Sequence, residues 1–246
     1  MSILQQIILF TALSGVLSAL AAGVFLLLGE RWRGAVLPHL VSFATGTLLG
    51  AAFLGLIPHA LEGAGPGGTH KVGLALLFGI LVFFLLEKFV LWRHCLDDPC
   101  EAHSPGHAHD QGREQAAGND HADLRDLASA RLILVGDTFH NLLDGVLVAA
   151  AFMTNPHLGI VTALAVFAHE IPQEVGDLAI LLHGGFSRGR AMTLNLLSSL
   201  TSILGGVLAW FALQTMLDVL PYALAFAAAS FIYVAVADLI PGLHRR

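Results

Sequence analysis

Seven apolar segments, each close to the length of a membrane-spanning helix, constrain this chain most: residues 3–28, 36–58, 72–92, 132–153, 158–183, 191–213 and 219–240. A helix needs about 20 mostly apolar residues to cross the hydrocarbon core. Inside a bilayer the backbone N–H and C=O groups must be satisfied by the protein itself, and helices of this length do so. Composition agrees, with 56% hydrophobic and 12% charged residues, where a soluble domain carries roughly 25% charged. Mean hydropathy is +0.75. The expected fold class is all-α, a polytopic membrane helix bundle with the lipid bilayer as its surroundings. It forms one transmembrane domain, residues 1–246. The net charge of −6 is modest, and much of the negative charge lies within apolar segments or in one loop. Nothing in it points to nucleic acid.

The first segment reads as a retained span. Ala19-Leu20-Ala21 faintly resembles a cleavage site, but no Lys or Arg precedes the segment. A signal peptide carries a basic start and a shorter apolar core. Residues 94–131 break the hydrophobic pattern with His94, His103, His107, His109 and His121 among Asp, Glu, Gly and Pro. This reads as a polar, His-rich loop that cannot bury enough apolar surface to fold alone. Cys95 and Cys100 fall within it. Two thiols make no disulfide framework. They read as reduced loop thiols, or as auxiliary metal ligands with His94 and His103.

Basic residues set the expected orientation. Arg31 and Arg33, Lys88 to Arg131 around the long loop, Arg188 and Arg190, and Arg245 and Arg246 all fall on one side; Lys71 alone falls on the other. The positive-inside rule then places the N-terminus outside and the His-rich loop in the cytoplasm. There is also an internal echo. Residues 43–58, FATGTLLGAAFLGLIP, match residues 226–241, FAAASFIYVAVADLIP, at six of sixteen positions. Chance matching of common apolar residues accounts for some of this. The two stretches nevertheless lie in spans of opposite direction, as inverted repeats of secondary transporters require.

The fourth and fifth segments carry polar groups at mid-length: Gly136-Asp137-Thr138-Phe139-His140-Asn141-Leu142-Leu143-Asp144-Gly145, then His169-Glu170-Ile171-Pro172-Gln173-Glu174-Val175-Gly176-Asp177. At about 100° per residue, Asp137, His140, Asn141 and Asp144 share a helix face about 100° wide. His169, Glu170, Gln173, Glu174 and Asp177 share a face only somewhat wider. An unpaired acid at the bilayer centre costs several kcal/mol. These acids must therefore face one another, a cavity or a cation. A proton-sharing network that only joins helices is the plain alternative, but five acids and two histidines exceed what joining requires. His140 and His169 offer neutral nitrogen, and Asp144, Glu170 and Glu174 offer oxygen and negative charge. Such a mixed set suits zinc, and also iron, manganese or cobalt. Pro172 cannot donate a hydrogen bond and disturbs the carbonyl of Ala168, which opens the fifth span beside these residues.

The two motifs together resemble those of the ZIP (Zrt/Irt-like) metal transporters, closest to the branch with a His-Glu-x-Pro-x-Glu-x-Gly-Asp signature. The similarity runs from about residue 36 to residue 241. It implies eight spans, the first three and last three being inverted repeats around a central two-helix metal-binding unit. Seven are visible before the chain ends at Arg246, so the eighth is expected to be missing, by natural shortening or truncation. Carried over by position, the resemblance implies one metal position at His140, Asp144, His169 and Gln173. It implies a second at Asn141, Asp144 and Glu170, with Glu174 as a further candidate. Asp137 and Asp177 become transport-path residues. The implied function is movement of a divalent metal ion into the cytoplasm, zinc foremost, with Fe²⁺, Mn²⁺, Co²⁺ and Cd²⁺ as further substrates. A homodimer and a bacterial inner (plasma) membrane location are also implied, and no prosthetic group.

The rival is an enzyme, an intramembrane zinc protease, which uses His-Glu-x-x-His on one span and Leu-Asp-Gly on another. Leu143-Asp144-Gly145 and His169-Glu170 are present. The second histidine is replaced by Gln173, Pro172 falls inside the motif, and the Asp motif comes first. The sequence therefore favours a transporter.

Overall fold

The computed structural model describes residues 1–97 and 115–241. The described residues form helices α1 (Ile3–Leu27), α2 (Glu30–Gly50), α3 (Ile57–Gly63), α4 (Thr69–Asp97), α5 (Gln115–Thr154), α6 (Pro156–His183), α7 (Arg188–Ser199), α8 (Thr201–Gln214) and α9 (Leu220–Tyr233), with no strand among them. A widened π-helical turn, Ala51–Leu56, joins α2 to α3, and another, Val234–Leu239, continues α9. The α2–α3 and α7–α8 pairs each make one crossing, so the helices follow the seven apolar segments. Among the described residues, six helices qualify as spans by length and hydropathy. The one left out is α6, whose 28 residues carry Glu170, Glu174 and Asp177.

The polar stretch 94–131 is less of a loop than its composition suggests. Helix α4 continues to Asp97 and α5 already starts at Gln115. Hydropathy marks where lipid contact ends, whereas Ala116, Ala117, Ala122, Leu124, Leu127 and Ala128 are good helix formers that extend α5 beyond that point. Cys100, His103, His107 and His109 lie outside the described residues.

The helices pack as two groups. In one, α5 lies along α6 and α8, and α1 lies along α6 and α8; in the other, α4 lies along α9, which also meets α3. Lipid is as apolar as a leucine side chain, so close backbone approach rather than water exclusion holds such helices together. Glycine makes this approach between α5 and α8. A Cβ on Gly145 would come within 1.9 Å of the Ser202 carbonyl oxygen, and one on Gly205 within 1.9 Å of the Leu142 carbonyl oxygen. Thr201 Oγ1 adds a hydrogen bond to the Thr138 carbonyl at 3.0 Å. The core between the groups holds Phe152, Phe231, Leu48 and Leu56. Leu54, Phe43, Phe78, Phe139 and Phe211 are exposed, an apolar surface that suits a membrane helix bundle.

The echoed stretches share a departure from α-geometry. The two π-turns are displaced by 183 residues, the same offset as the sequence match, and each ends just before Ile-Pro. The Ile57 N–H bonds to the Ala52 carbonyl and the Ile240 N–H to the Ala235 carbonyl, five residues back in each case. Pro58 and Pro241 lack an N–H, and their rings displace the carbonyl four residues back, which widens the preceding turn.

Candidate metal centre

The connection between α5 and α6 is one residue, Asn155. Its extended backbone (φ −159°, ψ 130°) reverses the chain, its side chain accepts from the His157 N–H at 2.8 Å, and Pro156 begins α6. Proline at the first helical position sacrifices no hydrogen bond. This tight hairpin sets the depth of the site. His140 precedes Asn155 by 15 residues and His169 follows it by 14. At 1.5 Å per residue both stand about 21–23 Å from the turn.

Four side chains meet at that depth. One donor atom from each of His140, Asp144, His169 and Glu170 lies within 4.8 Å of the others. The two Nε2 atoms are 3.2 Å apart. Asp144 Oδ2 lies 3.1 Å from His169 Nε2 and 3.6 Å from His140 Nε2. Glu170 Oε1 lies 3.9 Å from His140 Nε2. Tetrahedral zinc with Zn–N bonds of about 2.0–2.1 Å separates two ligand nitrogens by about 3.3 Å. The separations of 3.1–3.9 Å bracket that length. His169 Nδ1 lies 3.1 Å from the Ala165 carbonyl oxygen. A carbonyl only accepts, so Nδ1 carries the proton, and Nε2 of the neutral ring keeps its lone pair for a cation.

Burial raises the demand for a cation. Asp144, His169 and Glu170 are almost fully enclosed, and His140 is 19% exposed. Both Glu170 carboxylate oxygens and Asp144 Oδ2 are buried without a hydrogen-bond partner; His169 Nε2, 3.1 Å from Asp144 Oδ2, has no proton to donate in this tautomer. A charged oxygen left unpartnered in a low-dielectric interior is strongly unfavourable, and a divalent ion satisfies several at once. A small cavity beside Asp144 and Glu170 is lined also by Asn141 and by Thr11 and Ser14 of α1 and Ser202 of α8.

The other residues marked in the sequence are placed differently. Asn141 lines that cavity, but its Nδ2 donates to Asp137 Oδ1 at 2.9 Å and to the Asp137 carbonyl at 3.1 Å. Gln173 Nε2 donates to Asp137 Oδ1 at 3.3 Å. Glu174 is fully buried and accepts from Asn195 Nδ2 and Ser199 Oγ. Asp137 also accepts from Ser198 Oγ. Asp177 is partly buried, with Oδ2 enclosed and unpartnered. Asn195, Ser198 and Ser199 were not among the residues the sequence singled out. Their signal is a polar stripe at 195, 198, 199 and 202 in an apolar segment, the spacing of one helix face.

A bundle of apolar helices long enough to cross a membrane, with two imidazoles and two carboxylates gathered so that they could hold a metal ion, defines a polytopic membrane protein. The chain belongs to the ZIP zinc transporter family, whose model matches residues 6–246. It is 35% identical to zinc transporter ZIP4 of Mus musculus, over 85% of this chain and 38% of that protein. It is 35% identical to zinc transporter ZIP13 of Rattus norvegicus, over 86% of this chain and 63% of that protein. With zinc transporter zipt-7.1 of Caenorhabditis briggsae the identity is 31%, over 95% and 68%. The chain thus spans less than two thirds of the ZIP4 and ZIP13 relatives.

Proposed function

We propose that this chain moves a divalent metal ion, zinc foremost, through the bilayer by way of the His140, Asp144, His169 and Glu170 centre, and delivers it to the cytoplasm. The observation that carries this is the set of four donors, spaced like the ligands of one ion, with both oxygens of buried Glu170 lacking a hydrogen-bond partner. Relatives named as zinc transporters support zinc as the substrate. Mixed nitrogen and oxygen donors also accept Fe²⁺, Mn²⁺, Co²⁺ and Cd²⁺. The basic residues support an outside N-terminus and a cytoplasmic 94–131 segment. In that orientation α5 runs outward and α6 inward, so Asp137, Glu174 and Asp177 lie on the cytoplasmic side of the centre and line the way out. A protease would need a second zinc histidine at position 173; Gln173 is there and donates to Asp137.

The test is zinc uptake into proteoliposomes by the wild type and Asp144→Ala at matched protein content. Uptake that depends on Asp144 is expected. Equal uptake by the two would remove the centre from the pathway, and cleavage of membrane-embedded peptides without uptake would favour the protease.

A further inference from the structure

Helices α5, α6 and α7 gather a second set of acids that the four-donor centre does not use. Asp137 stands one turn before His140, and Glu174 and Asp177 stand one and two turns after Glu170. Asp137 and Glu174 are buried. Five groups donate to them: Asn141, Gln173 and Ser198 to Asp137, and Asn195 and Ser199 to Glu174. All five donors are neutral amides or hydroxyls. One turn of α7, from Asn195 to Ser199, bonds both Asp137 and Glu174, and Asp177 follows Glu174 by one turn of α6. Two buried carboxylates thus meet the same turn of α7, the third lies one turn further along α6, and the donors that orient Asp137 and Glu174 carry no positive charge.

Asn195 supplies an independent sign of a ligand. It is fully buried, and its Oδ1 has no hydrogen-bond partner. Its amide nitrogen is bound to Glu174, so the amide oxygen is fixed beside that carboxylate. Asp177 Oδ2 is likewise enclosed and unpartnered. A buried amide oxygen does not attract a proton at neutral pH, but it is a good ligand for a hard cation. Uncompensated carboxylates at this depth require a cation or protons, and the extra amide oxygen favours the cation.

We propose that Asp137, Glu174 and Asp177, with the amide oxygen of Asn195, form a second, oxygen-only site for a divalent cation, about one helical turn from the imidazole centre. An all-oxygen set suits hard ions such as Mn²⁺, while zinc gains more from imidazole. A zinc ion stepping from the first site to the second exchanges nitrogen for oxygen and is held less tightly on its way out. That role rests on the transport reading; the existence of the site does not.

Mn²⁺ binding to the purified full-length protein, followed by electron paramagnetic resonance, tests the site. The wild type is expected to bind two equivalents. His140→Ala/His169→Ala is expected to keep one equivalent, and adding Asp177→Asn should weaken that one by about tenfold or more. Zinc should displace Mn²⁺ less readily from this residual site than from the wild-type centre. Absence of Mn²⁺ binding in a folded double-histidine variant would overturn the proposal, and so would a residual site indifferent to Asp177→Asn. If the double-histidine variant does not fold, Asp177→Asn in the wild-type background decides: a drop from two equivalents to one supports the site, and an unchanged two overturns it. Wild-type zinc uptake, measured separately, tells a failure of this site from a failure of the transport reading.

Discussion

The Nε2 atoms of His140 and His169 stand 3.2 Å apart, on two helices separated by the single residue Asn155. The hairpin turn, rather than the ligands themselves, sets this register. One residue added at the turn would rotate one helix by about 100° and shift it by about 1.5 Å against the other. Either movement exceeds the tolerance of a metal site.

Asp144 is the residue whose loss should cost most. Its Oδ2 faces both imidazoles, so its removal takes away a shared donor and a charge that balances the ion. Asp144→Ala is expected to lower zinc uptake by about 10- to 100-fold while the protein elutes as folded in detergent. Asp144→Asn keeps the shape and loses the charge. A loss of similar size in both variants would show that the charge matters more than the volume.

The α5–α8 contact gives a matched pair of glycine tests. A methyl group on Gly145 would collide with backbone, whereas one on Gly46 meets nothing within 4 Å. Gly145→Ala forces the helices apart at the turn that carries Asp144, at about 1–3 kcal/mol or more. Gly46→Ala should be neutral or stabilise by up to about 1 kcal/mol, since alanine is the better helix former. Thermal melts of the purified variants would check this. Equal melting of the two would mean that α5 and α8 are not in backbone contact.

Much of the fold was legible because lipid contact writes hydrophobicity directly into the sequence. The four-donor cluster was legible because His140 and Asp144, four residues apart, return to the same helix face, and because His169 and Glu170 stand side by side in the next apolar segment. The companions of Asp137 and Glu174 were not legible in the same way. Ser198 and Ser199 are single hydroxyls in an apolar run, and only the packing of α7 against α5 and α6 gives them acids to bind. Gln173 shows the same limit. It shares a helix face with His169, yet its hydrogen bond to Asp137, on α5, follows only from the packing of α6 against α5. The extension of α5 back to Gln115 was hidden for another reason, since polar helix and polar loop look alike to hydropathy.

The segment between α4 and α5 should be dispensable for translocation. Deleting residues 101–113 leaves α4, which ends at Asp97, and α5, which begins at Gln115, as they are. It removes His103, His107 and His109, which have metal-binding chemistry. Zinc uptake should persist, with a changed response to cytoplasmic zinc. The measurement is uptake rate against internal zinc loading; complete loss of uptake in a folded deletion would place the segment in the pathway.

Gln173 offers the sharpest test of how selectivity is set. It sits one turn after His169, and its hydrogen bond to Asp137, at 3.3 Å, is long. Such a contact is weak and readily exchanged. Gln173→His puts a third imidazole on the helix face of His169, within reach of the four-donor centre. Imidazole favours zinc over manganese more than any oxygen donor does. The variant should therefore bind zinc more tightly and reject manganese and iron more strongly in competition. Its maximal uptake rate should fall, because an ion held by three imidazoles leaves more slowly toward Asp137. The substitution also completes a His-Glu-x-x-His sequence, so peptide cleavage by the variant is worth measuring beside uptake; none is expected, since Pro172 stands inside that motif and removes a helix hydrogen bond there. Competition curves that match the wild type would mean that position 173 faces only Asp137, and that selectivity is set by the four donors alone.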